Sequence, residues 1–210
     1  MRFGKVEIFV STVTDGNMSE KWGEIEIVTK KRNKFLEKNK IKFEDCAKMS
    51  LLSGTNINEV NKNDMGKWIE ADGVITSENN LPIWLLVGDC FPVVFWNESE
   101  MGVAHVGWRG MEGNLIKKMV EKMGKNLQVW IGPGIRDKDY WWEDSLKTRK
   151  IRLDKYILQQ LIDCGVKNII DCGIDTVADL NYFSHHRTRS THEVEGRFAI
   201  AARYCADSSR

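Results

Sequence analysis

The sequence predicts a single mixed α/β domain. Three observations carry that prediction. Short apolar runs of strand length are bounded by Asn, Gly and Pro. A few longer segments carry an apolar stripe at helical spacing. The two kinds alternate along the chain without internal repeats or low-complexity linkers. At 210 residues the chain has the size of one good-sized domain, taken as 1–210.

The elements follow in order. KVEIFV (5–10) alternates as a half-buried strand should, and TDGNMS (14–19) is a polar loop with turn chemistry. Residues 29–39 predict a helix whose lysines form the solvated side, while Val28, Phe35 and Leu36 share one face. Strands are predicted at 71–76, 83–88, 93–96 and 102–105. From Gly113 to Met123 the period becomes helical, with Leu115, Ile116, Met119, Val120 and Met123 in one stripe. A strand at 127–131 stops at Gly132-Pro133-Gly134, and a helix at 149–163 precedes strands at 168–172 and 197–203. Trp141-Trp142 carries no assignment, and the tail 207–210 is read as frayed.

Composition excludes several classes. A formal net charge of +1 gives no electrostatic reason to expect nucleic acid or a membrane surface as partner. No apolar run approaches the roughly 18 residues of a membrane helix. MRFGKVEIFVSTVTDG reads as a strand and turn without a signal-peptide cleavage site, so a cytoplasmic location is expected. The five cysteines are widely spaced and form no C-x-x-C pair, which argues against a disulfide framework or a zinc knuckle. Cys46, Cys164, Cys172 and Cys205 read as small buried hydrophobes.

Cys90 differs from these. It ends the apolar run IWLLVG, where a side chain is rigidly held and still reachable, and Pro92 restrains the backbone just after it. The runs 93–96 and 101–105 are joined by the short turn 97–100 and predict a hairpin that returns His105 toward Cys90. Gly107-Trp108-Arg109-Gly110 then leads into a helix whose free N–H groups favour an anion, and Arg109 adds a planar guanidinium suited to phosphate or carboxylate. The competing reading is that Cys90 and His105 pack, Trp108 packs and Arg109 pairs with a surface carboxylate. The residues alone leave both open.

VGDCFPVVFWNESEMGVAHVGWRG resembles the signature of the laccase-domain family, also called the polyphenol oxidase or purine nucleoside phosphorylase family. ADGVITS (71–77), IGPGI (131–135), DGNMS (15–19) and EGRFA (195–199) extend the resemblance over most of the chain. It implies a layered sheet with outer helices, a fold also similar to that of the cytotoxic necrotising factors. It implies phosphorolysis of adenosine, inosine, guanosine or methylthioadenosine with phosphate as co-substrate, and adenosine deamination. It also implies a zinc site of two histidines and one cysteine. Carried over, Cys90 and His105 are two metal ligands and catalytic residues, and Arg109 is a catalytic and substrate contact. Asp89 and Ser19 border the substrate.

The pattern is broken in places. Ser53 stands where the family's first zinc histidine belongs, and all four histidines lie at or after position 105. Thr14 replaces an expected arginine, and His186-Arg187 replaces an Arg-Arg pair. His185 and His186 are the first places to look for a replacement ligand, although SHHRTRSTHEVE, which also holds His192, reads mainly as a solvated loop. Arg197 reads as structural. Multicopper oxidation is rejected, because four histidines with one adjacent pair cannot supply its ligands. Two alternatives to a phosphorylase remain: a metal-free Cys–His hydrolase or amidase, deamidase-like or acting on peptidoglycan precursors, and a degenerate domain that binds a small molecule without turnover.

Overall fold

Two six-stranded sheets form the centre of the molecule, seen in a computed structural model that describes residues 1–124, 126–136, 152–191 and 194–205. In chain order the strands are β1 (Arg2–Phe3), β2 (Val6–Val10), β3 (Ala47–Ser50), β4 (Ile57–Glu59), β5 (Trp68–Glu70), β6 (Gly73–Thr76), β7 (Pro82–Val87), β8 (Phe91–Trp96), β9 (Met101–Val106), β10 (Gln128–Ile131), β11 (Asn168–Asp171) and β12 (Phe198–Tyr204). The α-helices are α1 (Ile25–Glu37), α2 (Trp108–Glu112), α3 (Leu115–Met123), α4 (Leu153–Asp163) and α5 (His185–Thr191). One sheet has the order β1-β2-β12-β7-β3-β5, the other β11-β10-β8-β9-β6-β4.

Strand periodicity sorts the side chains into layers. Val94, Trp96, Met101 and Val103 of the second sheet meet Val6, Ile8, Ile83, Leu85, Phe198 and Ile200 of the first in a shared core. The opposite face of the second sheet, with Phe91, Val93, Phe95, Ala104 and Val106, is covered by α2, α3 and α4. The outer face of the first sheet packs Trp84, Ala199 and Ala201 against Phe35 and Leu36 of α1. The result is helix, sheet, sheet, helix. Among the described residues no helix is long and apolar enough to cross a membrane.

Several sequence expectations shift at their boundaries. The first helix begins at Ile25, four residues before the predicted start, and buries Val28, Arg32, Phe35 and Leu36 as its inner face. The helix predicted from Gly113 is two helices: Gly107-Trp108-Arg109-Gly110 enters α2 directly, and Asn114 in the left-handed region (φ 60°) separates it from α3. Leu115, Ile116, Met119 and Met123 are the buried stripe of α3, each contributing roughly 1.5–3 kcal/mol by leaving water. The sequence predicts no strand at β3, β4 or β5, because AKMS, INE and WIE are short and none is a continuous apolar run. Cys46 is buried as expected; Cys164, Cys172 and Cys205 are only partly so, and all five thiols are free. Residues 149–151 of the predicted third helix, Trp141-Trp142, His192 and the tail 207–210 lie outside the described residues.

Residues 185–191 overturn the expectation of a loop: they form α5. Its stripe is polar, so periodicity could not reveal it. Its first-turn amides are capped by oxygens instead, with the Arg187 N–H donating to Ser184 Oγ (3.1 Å) and the His186 N–H to Asp89 Oδ2 (2.6 Å).

The turn after β10 needs a small residue at one point. A Cβ built on Gly134 would lie 2.5 Å from the Phe91 ring. Gly134→Ala is therefore expected to cost about 1–3 kcal/mol by overpacking. Chemical denaturation checks this, the midpoint falling at unchanged slope.

Candidate active site

The hairpin of β8 and β9 does what the sequence predicts. Its turn is held by Asn97 Oδ1, which accepts the N–H groups of Ser99 (2.9 Å) and Glu100 (3.0 Å). The register pairs Pro92 with His105 and Phe91 with Val106, so Cys90 and Gly107 face each other just past the ladder. A Cβ built on Gly107 would lie 3.0 Å from Cys90 Sγ and 3.7 Å from His105 Cε1, so thiol and imidazole flank the same point. Both have the strand parity of Val94 and Val103, the set that points between the two sheets.

Two cavities share this floor. The smaller, about 110 Å³, is lined by Ser53, Gly54, Cys90, His105, Gly107, Trp108, Arg109 and Gly110. The larger, about 610 Å³, adds Ser19, Lys21, Trp22, His185 and Arg197 to Ser53, Cys90 and His105. Arg109 stacks on the Trp108 ring with its guanidinium carbon 4.3 Å from the centroid. Ser53 is exposed and in the left-handed region (φ 57°).

Arg197 enters the cleft by strand pairing. Phe198 pairs with Val87, which sets Arg197 level with Gly88, two residues before Cys90. Its stem crosses Gly88 so closely that a Cβ there would meet Arg197 Cδ at 2.9 Å. One terminal nitrogen donates to Glu195 Oε1 (2.6 Å) and to the Gly196 carbonyl (2.6 Å). The guanidinium also lies 5.7 Å from the Trp22 ring centroid. Glu195 accepts in addition from Thr188 Oγ1 (2.8 Å) and pairs with His185 Nδ1 (2.8 Å). Despite the desolvation that opposes it, the hydrogen bonds of Arg197, Thr188 and His185 hold the Glu195 carboxyl below its ordinary range. Asn17 Oδ1 accepts both the Ser19 N–H (2.9 Å) and the Arg197 N–H (3.0 Å), locking the N-terminal loop to the cleft wall. Arg197, structural by its sequence context, thus lines the cleft. EGRFA marks the residue as part of the resemblance but gives it no role in the cleft.

Asp89 is placed differently from the expected substrate contact. It is 1% exposed and lines neither cavity. Its Oδ1 accepts from Thr176 Oγ1 (2.7 Å), its Oδ2 from the His186 N–H, and its carbonyl from the Ile135 N–H (2.9 Å). Thr14 is exposed, and Arg187 turns inward to the carbonyls of Thr176 and Tyr182.

The floor of the cleft is neutral. Cys90 and His105 are open to solvent only along the cleft and are otherwise enclosed by protein. Burial, helped by the adjacent Asp89 charge and opposed by Arg197, pushes the Cys90 thiol up to about 12. Burial also pulls His105 down to about 4, against the raising influence of Asp72, with Arg197 lowering it further. Near pH 7 the pair is thiol and neutral imidazole. The sign gives a test: alkylation of Cys90 by iodoacetamide, followed on its own peptide, is expected to rise about tenfold per pH unit from 7 to 10 without a plateau. A plateau below pH 8 would reveal a thiolate already formed.

The two-histidine, one-cysteine zinc set does not fit. Cys90 and His105 supply two donors, Ser53 offers only a neutral hydroxyl, and His185 is paired with Glu195. Among the described residues no group of three or more His, Cys, Asp or Glu could hold a metal ion. A multicopper set fits no better.

The sandwich with outer helices and a thiol–imidazole floor at its open end define a laccase-domain protein. YlmD from Geobacillus stearothermophilus shares the fold with a TM-score of 0.83 at 23% identity, covering 97% of this chain and 93% of that one. YfiH from Bacillus licheniformis does so with a TM-score of 0.78 at 23% identity, covering 90% and 85%. The family model described as multi-copper polyphenol oxidoreductase laccase matches residues 10–149, and the chain belongs to that family. Among its relatives, a purine nucleoside phosphorylase of Rickettsia prowazekii is 42% identical over 82 residues, which are 36% of this chain and 34% of that protein. A purine nucleoside phosphorylase of Campylobacter jejuni is 28% identical over 146 residues, 60% of this chain and 65% of the relative. The match spans about a third of the Rickettsia protein's length.

Proposed function

We propose that the chain is a purine nucleoside phosphorylase working in the Cys90–His105 cleft on adenosine, inosine, guanosine or methylthioadenosine. The observation that carries the reading is the pair of cavities that share Ser53, Cys90 and His105, with a guanidinium lining each. Its support from comparison is that relatives in the same family carry the phosphorylase name. The larger cavity lies in the size range of small-molecule sites, whereas the smaller is too small for a nucleoside and suits an oxyanion.

In this reading Trp22 offers the base an aromatic face, and Ser19 borders the nucleoside. Arg109 holds phosphate in the smaller cavity. A phosphate oxygen forms the bond to the ribose C1′ as the C1′–N9 bond breaks. The electron pair passes into the purine, which takes a proton from water. The free edge of Arg197 stabilises that growing negative charge. His105, neutral, hydrogen-bonds the sugar and carries no charge of its own. No step uses a metal, so deamination by metal-bound water is not part of the proposal.

Incubation of the purified chain with phosphate and each nucleoside tests the reading. Free base and ribose 1-phosphate are expected, in proportion to phosphate and unchanged by chelator. No release of base, while a relative with the full histidine set turns over in the same assay, would reject it. A second reading, a metal-free thiol amidase, is favoured by the two-donor set of Cys90 and His105. It requires the low-pH alkylation plateau that the buried thiol argues against, and stoichiometric zinc in the purified protein would exclude it.

A further inference from the structure

Asp72 is a fully buried carboxylate with a task unfilled. It is 0% exposed, and its Oδ1 has no hydrogen-bond partner among the described residues. Leaving such an oxygen bare is costly, so it calls for an explanation. Its other oxygen accepts the Asn56 N–H (3.2 Å) and lies 3.4 Å from where a Cβ on Gly54 would sit. That bond fastens the loop carrying Ser53. The free oxygen is left over from this role.

Strand pairing says what lies beside it. Gly73 pairs with Ala104 and Val74 with Val103, so one step further along the ladder Asp72 stands opposite His105. The His105 N–H donates to the Asp72 carbonyl at 2.8 Å, which fixes that step. Asp72 has the parity of Val74 and His105 that of Val103, and both valines face the core between the sheets. The carboxylate and the imidazole are therefore cross-strand neighbours on one face, a relation that brings Cβ atoms to roughly 5 Å. The electrostatic pull of Asp72 on His105 agrees with this placement. Nothing within ADGVITS itself marks its aspartate for such a role.

We infer that Asp72 is the positioning residue of His105: its free oxygen takes the ring N–H through one bridging water and fixes which imidazole nitrogen carries the proton toward the cleft. A neutral imidazole can serve a substrate with only one of its two nitrogens as acceptor, so a carboxylate behind it decides which one that is. Asp72 touches no substrate in this scheme.

The test is nitrogen NMR of the four histidine rings, with His105→Gln assigning the signal. In the wild-type chain His105 is expected in one neutral tautomer with a slowly exchanging ring proton. A ring averaging between tautomers with rapid proton exchange would overturn the inference, whether or not any variant folds. Asp72→Asn keeps an acceptor for Asn56 and places a donor where the free oxygen was, so it is expected to shift His105 to the other tautomer or to a mixture. An unchanged tautomer in folded Asp72→Asn, with only the melting temperature lowered, would also overturn it. The kinetic arm rests on the phosphorylase reading: kcat is expected to fall at least about tenfold with KM within about twofold, as for other residues that orient a histidine. Equal kcat in an active enzyme would count against Asp72. Absence of turnover in the wild type rejects the phosphorylase reading alone, since the tautomer measurement needs no substrate.

Discussion

If the proposed phosphorylase reading holds, Arg197→Met is expected to lower kcat/KM for phosphorolysis by about 10²–10³-fold while leaving the melting temperature nearly unchanged. Methionine keeps the apolar stem that crosses Gly88 and removes the guanidinium together with its approach to Trp22. The fold loses little, because Glu195 retains Thr188 and His185. In the proposed mechanism the reaction loses the cation that faces the departing base, and one such preorganised donor is worth about that factor. Arg197→Lys should recover only part of the activity, since the planar edge is lost even though the charge stays. Steady-state kinetics with varied nucleoside at saturating phosphate measures both. An Arg197→Met enzyme within about threefold of wild type would remove the residue from the mechanism.

Asp89→Ala is expected to destabilise the chain by about 3–5 kcal/mol, a larger loss than Gly134→Ala or Arg197→Met should produce. One carboxylate caps α5, satisfies the buried Thr176 hydroxyl and sits between the hairpin strand and the segment 174–176. Alanine strands both donors away from water, and each costs about 1–3 kcal/mol. The position is also left-handed, φ 79°, which a β-carbon without a polar group tolerates less well. Asp89→Asn retains an acceptor and should cost less than half as much. Urea titration of the three proteins measures the order. Equal midpoints for Asp89→Ala and wild type would show that α5 is held by other contacts.

The chain's own letters carry the hairpin and hence the thiol–imidazole pair, because strand, short turn and strand are local and their register follows from the turn length. Arg109 comes with them, only four residues past His105. Arg197 and Asp72 do not. Arg197 reaches the cleft, and Asp72 reaches His105 behind it, by strand pairing with a distant segment, β12 on β7 and β6 on β9, and a residue's neighbour across a sheet leaves no mark on its own neighbourhood. Asp89 reads as a substrate contact because it precedes Cys90; its left-handed backbone turns it away from the cleft and toward α5. The helix at 185–191 is hidden for a related reason, its ends being satisfied partly by that distant carboxylate. The four-layer arrangement follows from the resemblance and not from periodicity, since periodicity finds a buried face without saying what covers it.

Strand β12 is made after every other strand of its sheet, yet it is the one wedged between β2 and β7. Until it arrives a nascent chain displays two open strand edges with nothing to zip them, and it must wait in that sticky state while all the rest of the sheet is synthesised. Chaperone dependence during translation, and aggregation of chains released before residue 198, are the expected consequences of weaving so late a segment through the middle of a sheet.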